Sequence, residues 1–233
     1  MKKTLLAAAS VLALTAAAQA EDVKMGIILG FTGPIESLTP DMAAGAEMAI
    51  SEANESGQFL GGMTIEPVRA DSTCVDAAAA TAAAERLITS DGVVSIMGAD
   101  CSGVTTAVAN NAAIPNGVVM ISPSATSPAL TTIEDNGLFF RTAPSDARQG
   151  EVLAEVVMGN GVESIAITYT NNDYGKGLAD SFQSAFEAMG GTVTITAAHE
   201  DGRGDYSAEV GALASAGGDA LAVLGYVDQG GRG

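Results

Sequence analysis

Hydroxyl groups gather at two places in the chain where apolar runs give out. Gly98-Ala99-Asp100-Cys101-Ser102-Gly103 follows the run at 93–97, and Ser122-Pro123-Ser124-Ala125-Thr126-Ser127-Pro128 follows the run at 118–121. A hydroxyl beside unpaired backbone N–H groups at the positive end of a helix suits a carboxylate ligand. The plainer reading makes Ser102 a helix cap and the second segment a tight turn. Nucleophilic chemistry finds less to work with. No G-x-S-x-G is present for a strand-to-helix turn, and the one histidine, His199, lies in the polar stretch His199-Glu200-Asp201, where it reads as a surface residue. The pair Gly175-Lys176 lacks the earlier glycine of a phosphate-binding loop. Arg203-Gly204-Asp205 reads as a polar loop before a helix. One histidine and two cysteines are too few for an ordinary zinc site, so no metal and no other cofactor is expected, although carboxylates could hold a hard cation.

Composition narrows the classes further. The 233 residues are 47% hydrophobic and 16% charged, and their 28 glycines and 7 prolines follow no period, which excludes disorder and a collagen-like chain. Ten Lys and Arg stand against 28 Asp and Glu, and a net charge of −18 repels phosphate backbones, so nucleic acid is not an expected partner.

Lys2 and Lys3 precede an apolar run at 5–18, and Ala18-Gln19-Ala20 closes it with small residues. This is the order of an export signal cut after Ala20, and the run is shorter than the ~20 residues of a membrane-spanning helix. Losing two lysines and no acid takes the net charge from −18 to −20. The expected destination is the periplasm. In an oxidising compartment Cys74 and Cys101, which form no C-x-x-C pair, read as a structural disulfide, with two separate buried thiols as the alternative.

The elements that must position these residues alternate. Strands are expected at 23–29, 64–70, 93–97, 118–121, 164–170, 192–197 and 220–225, with helices at 41–54, 77–88, 102–113, 146–158, 176–189 and 206–215. A bridging stretch without an element is expected at 139–144. Strand and helix in alternation imply βαβ units and parallel sheets, and the pause before residue 146 divides them between two sheets. The predicted fold is α/β, two Rossmann-like doubly wound lobes, with 1–20 a signal peptide, 21–141 the first lobe and 142–233 an incomplete second lobe. The last apolar run is followed by a glycine-rich stretch with no helix to cover it, which gives the expectation of a C-terminally truncated chain.

Phe31-Thr32-Gly33-Pro34, Gly45-Ala46-Glu47, the Cys74 and Cys101 pair, the Cys101-Ser102 turn and Ile121-Ser122-Pro123-Ser124-Ala125-Thr126 together resemble the leucine/isoleucine/valine-binding proteins, as do Asp173-Tyr174-Gly175-Lys176-Gly177-Leu178 and Asp205-Tyr206-Ser207. These are periplasmic substrate-binding components of branched-chain amino-acid-type ABC transporters. The resemblance implies the type I periplasmic-binding-protein fold, two lobes that close by a hinge on a ligand and then dock on permease subunits, in a monomer. It implies a disulfide from Cys74 to Cys101 that braces the loop holding Ser102. It assigns Ser102 to the ligand carboxylate, Ser124 to the ammonium through its carbonyl, and Thr126 to both, with Ala125 in the same loop, and it matches Tyr174 and Tyr226 to second-lobe tyrosines that close over the ligand. Leu38 falls where the family has an aromatic residue, which alters the side-chain pocket. The family's ammonium-binding carboxylate falls beyond Gly233.

The expected activity is therefore non-catalytic capture of a small neutral amino acid, branched-chain or other, with amides, urea and aromatic acids as further ligand classes the resemblance allows. Two other readings are a periplasmic amidase-like hydrolase using Ser102 or Ser124, and a ligand sensor for a membrane receptor.

Overall fold

The computed structural model describes residues 22–227. The leader expected at 1–20 lies outside them. A first sheet holds β1 (Val23–Leu29), β2 (Ile65–Asp71), β3 (Val93–Gly98), β4 (Val119–Ser122) and β5 (Phe139–Arg141), all parallel, in the order β2-β1-β3-β4-β5. A second sheet holds β6 (Ser164–Thr170), β7 (Thr192–His199) and β8 (Ala220–Leu224), parallel, in the order β7-β6-β8. Six helices connect them: α1 (Thr39–Glu55), α2 (Ala77–Arg86), α3 (Ser102–Val108), α4 (Asp146–Gly159), α5 (Asp173–Ala188) and α6 (Ser207–Ala216). The expected α/β fold with parallel sheets is the one observed.

Strand β1 shows why these residues choose a central strand. Ile27, Ile28 and Leu29 are consecutive and all fully buried, which only a strand covered on both faces permits. Ile28 packs with Leu87, Ile96, Val104, Val108 and Met120 on the side of α2 and α3, whereas Ile27 and Leu29 pack with Ala43 and Ile50 of α1. The second lobe has its own core, where Ile165 and Ile167 meet Leu178, Phe182 and Phe186 of α5 and Ala154 of α4. Helices α4 and α5 approach so closely that a Cβ on Gly150 would stand 2.6 Å from the Phe182 nitrogen.

Three expectations are corrected. The stretch expected to bridge the lobes without an element contains β5, whose Phe139, Phe140 and Arg141 pair in parallel with Met120, Ile121 and Ser122. Three residues are too few to show alternation, and the strand exists because β4 offers it an edge. His199 is not a surface residue: it ends β7, is buried, shares a 2.8 Å hydrogen bond with the Thr168 hydroxyl through Nδ1, and meets the Tyr206 ring edge-on. Pairing with β6 draws the strand two residues further than its apolar pattern reaches, and His199 goes inward with it. Helix α5 likewise begins before its expected start at 176, because the Asn172 side chain accepts the Gly175 N–H at 3.0 Å and caps it.

Candidate ligand-binding site

Strands β1 and β3 are neighbours whose connections leave in opposite directions, and the crevice beyond their carboxyl ends is where open α/β sheets take ligands. The local structure there is tied down by Asp100, which is buried and accepts from the Gly30 N–H at 2.5 Å, the Ser72 hydroxyl at 3.0 Å and the Cys101 N–H at 2.9 Å. Burial pushes its carboxyl above the ordinary range although these bonds oppose the shift. One side chain thus gathers the loops after β1, β2 and β3. A disulfide between Cys74 and Cys101 joins the last two of these covalently.

A cavity of 240 Å³ opens from this crevice. Its walls are Ile35, Leu38, Met42, Asp100, Cys101, Ser102, Ser124 and Thr126 from the first lobe, and Gln149, Tyr174 and Tyr226 from the second half of the chain. Ser102 opens α3, with Cys101 and not Ser102 at the cap position. Its Oγ instead accepts the backbone N–H groups of Thr126 at 3.2 Å and Ser127 at 3.1 Å, so it fixes one hydroxyl-bearing segment to the other. Both lone pairs are then used, and the hydroxyl proton is left to donate. Ser124 donates its hydroxyl to the Asp100 carbonyl at 3.0 Å, and Ser122 receives the Ala125 N–H at 3.0 Å. The segment 122–128 is held from beneath by Arg141, whose guanidinium donates to the Ser127 carbonyl at 2.8 Å and the Thr131 hydroxyl at 2.7 Å.

The far wall is aromatic. Tyr174, at the start of α5, and Tyr226, just after β8, stack with centroids 5.1 Å apart and planes 22° from parallel. Burial raises both phenols above their ordinary value, and the carboxylate of Asp146 adds to the shift at Tyr174. Tyr226 also packs against the core of the first lobe, so it touches both halves of the molecule. Gly177 lets α5 come in close, because a Cβ there would stand 2.8 Å from Pro128 Cδ. A larger cleft of 520 Å³ lies beyond Tyr226, bounded by Pro34 and Val75 on one side and by Asn172, Asp173, Glu200 and Asp201 on the other. No Lys, Arg or His lines either cavity.

Of the residues singled out in the sequence, Ser102, Ser124, Thr126, Tyr174, Tyr226 and Leu38 line one cavity, with Leu38 about half exposed at its mouth. Ala125 lies fully buried in the first-lobe core and lines neither cavity. Gln149 and Met42 join the site without having carried any signal in the sequence, and Asp100 joins it from the segment 98–103, where only the hydroxyl of Ser102 had been singled out. Among the described residues no group of three or more His, Cys, Asp or Glu could hold a metal ion, and no helix is long and apolar enough to cross a membrane.

The model of one protein family, described as periplasmic binding protein, matches residues 22–231. The chain belongs to the periplasmic binding protein family. It is 33% identical over 223 residues to a Leu/Ile/Val-binding protein homolog of Brucella melitensis, covering 93% of this chain and 58% of that one. Among solved structures, a leucine-binding protein of Thermotoga maritima superposes with a TM-score of 0.76 at 28% identity, over 86% of this chain and 55% of that one. The substrate-binding protein of a branched-chain amino acid transporter from Streptococcus pneumoniae, solved with isoleucine, gives 0.74 at 27%, over 87% of this chain and 56% of that one. The chain thus spans little more than half the length of these relatives. The fold is that of the type I periplasmic binding proteins.

Proposed function

We propose that the protein is the substrate-binding component of an ABC transporter, which captures a small neutral amino acid between its lobes and presents it to permease subunits. The observation that carries this reading is the 240 Å³ cavity, in which a Ser102 hydroxyl free only to donate faces two stacked tyrosines from the other half of the chain. A ligand carboxylate satisfies that donor, and a ligand that touches both walls is bound better closed than open, which is what drives hinge closure. The leucine- and isoleucine-binding relatives support the ligand class. In this reading residues 1–20 export the chain to the periplasm, which suits its disulfide, and 21–141 and 142–233 are the two lobes. The protein acts without catalysis: neither Ser102 nor Ser124 meets His199, whose Nδ1 is committed to Thr168 and which does not line the cavity.

A thermal-shift screen of the full-length chain against the twenty amino acids, small amides, urea and aromatic acids tests the reading. One or a few neutral amino acids should raise Tm, by an amount equivalent to about 2.7 kcal/mol at a hundred times Kd. A shift with an aromatic acid and with no amino acid would move the ligand class, and turnover of an amide or ester would replace binding by hydrolysis.

A further inference from the structure

The first lobe gives the ligand cavity two walls that come from separate stretches of chain. Ile35, Leu38 and Met42 form an apolar wall, between β1 and the first turn of α1, whereas Ser102, Ser124 and Thr126 form a polar wall after β3 and β4. A ligand that touches both walls is measured by the distance between them. Some group that holds both must fix that distance.

Asp100 is placed to do so, since it is 2% exposed and lines the same cavity. On the polar side its Oδ1 accepts the Cys101 N–H at 2.9 Å, one residue before Ser102, and its carbonyl accepts the Ser124 hydroxyl at 3.0 Å. On the apolar side its Oδ2 accepts the Gly30 N–H at 2.5 Å, and the Gly30 carbonyl in turn accepts the Thr39 hydroxyl at 3.2 Å. Thr39 is fully buried and opens α1 between Leu38 and Met42, but it lines no part of the cavity. A hydrogen-bonded chain thus runs from one wall to the other through the Asp100 carboxylate. Gly30 permits the approach, because a Cβ there would stand 3.1 Å from Cys74 Cβ and 3.3 Å from Asp100 Oδ2.

Other fastenings of the apolar wall lead elsewhere. Thr32 donates its hydroxyl at 2.7 Å and its N–H at 3.3 Å to Asp71, which does not line the cavity. The Cys74–Cys101 disulfide joins the loops after β2 and β3 and leaves out the loop after β1.

We propose that Asp100 is a positioning residue that sets the spacing between the apolar and polar walls, and with it the size of ligand side chain the site accepts. This rests on the amino-acid reading above and deepens it by naming what fixes the width of the pocket. Bonds from N–H groups to a buried carboxylate are charge-assisted and short, so they hold the two walls more firmly than neutral pairs would. A packed interior responds to a change of one methylene, so a small outward movement of the apolar wall is enough to favour larger side chains over smaller ones.

Titration calorimetry on the full-length chain with L-valine, L-leucine, L-methionine and L-phenylalanine reads that spacing. Asp100→Ala should raise the Kd of a smaller side chain relative to a larger one by at least about fourfold, the effect of roughly one methylene. Part of that shift comes from the volume the side chain vacates, so Thr39→Val is the decisive variant: it keeps its shape, touches no ligand, and should move the ratio in the same direction. The two changes together should shift the ratio no further than Asp100→Ala alone, because both cut one chain of bonds. Amide hydrogen exchange over residues 30–42 should quicken by about tenfold in either variant, with exchange over residues 146–159 unchanged. An unchanged ratio in Thr39→Val overturns the proposal, also where Asp100→Ala does not fold, and so does an equal loss of affinity for all the amino acids that bind. If none of the four binds, the amino-acid reading falls and the exchange rates alone decide. Rates over 30–42 equal to those of the unmodified chain then overturn the proposal as well, and faster ones uphold the tie.

Discussion

Ser102 is a residue where ligand chemistry and local stability meet. Its hydroxyl satisfies two backbone donors of the facing segment and still has a proton to offer. Ser102→Ala should therefore lose ligand affinity and also lower stability by about 1–3 kcal/mol, since the Thr126 and Ser127 N–H groups are left without an acceptor in a buried place. Urea denaturation of the empty protein checks the second part, and an unchanged midpoint would mean that water replaces the hydroxyl. A Thr126→Ala change leaves the backbone bonds of Thr126 to the Ser102 hydroxyl and the Asp146 N–H in place, so it should lower affinity with a smaller effect on stability than Ser102→Ala.

Among the elements, the loops that carry the site are held by cross-links and not by their own secondary structure. The disulfide spans 27 residues and pins the loop after β2 to the start of α3. Replacing both cysteines by serine should lower stability by about 3–4 kcal/mol on the loop-entropy account. It should also weaken ligand binding, because Cys101 immediately precedes Ser102; a chemical denaturation curve and a ligand titration on the same variant separate the two effects. How far elements are legible varies with their kind. Strand β6 was readable to the residue from Ser-Ile-Ala-Ile-Thr-Tyr-Thr, where apolar residues end in turn signals. Strand β5 was not, since its three residues become a strand only through the edge that β4 presents. Helix α3 is the first seven residues of an expected longer helix whose end, at Ala109–Ala113, winds as a π segment.

For the molecule as a whole, charge sets the behaviour. A net charge of −18 is spread over a surface whose ion pairs among the described residues, such as the bidentate Arg69–Glu47, lie exposed or partly covered and are individually weak. Self-repulsion of that size destabilises the compact state and is screened by salt. Tm of the empty protein should rise between low and moderate sodium chloride, while Kd for a zwitterionic amino acid changes little, since its two charges lie together in one closed site. A Kd that weakens strongly with salt would point to a ligand carrying net positive charge.

The alternation of short apolar runs with helical patterns determined the class of the fold, because a parallel strand buried on both faces must be apolar throughout and a crossover helix must lie between it and the next. Ser102 and Thr126 could be picked out because they sit where apolar runs stop, and the stop is a local property of the chain. Which hydroxyl donates and which accepts could not be read there. That was decided by contacts between residues 24 and 25 positions apart, which occupy the Ser102 oxygen, and by an arginine reaching back from β5 to hold the facing segment. His199 makes the same point from the other side: polar neighbours place a residue at the surface, and only pairing with β6 turns it inward. Burial and partnership are relations between distant parts of a chain, so the tertiary structure alone decides them.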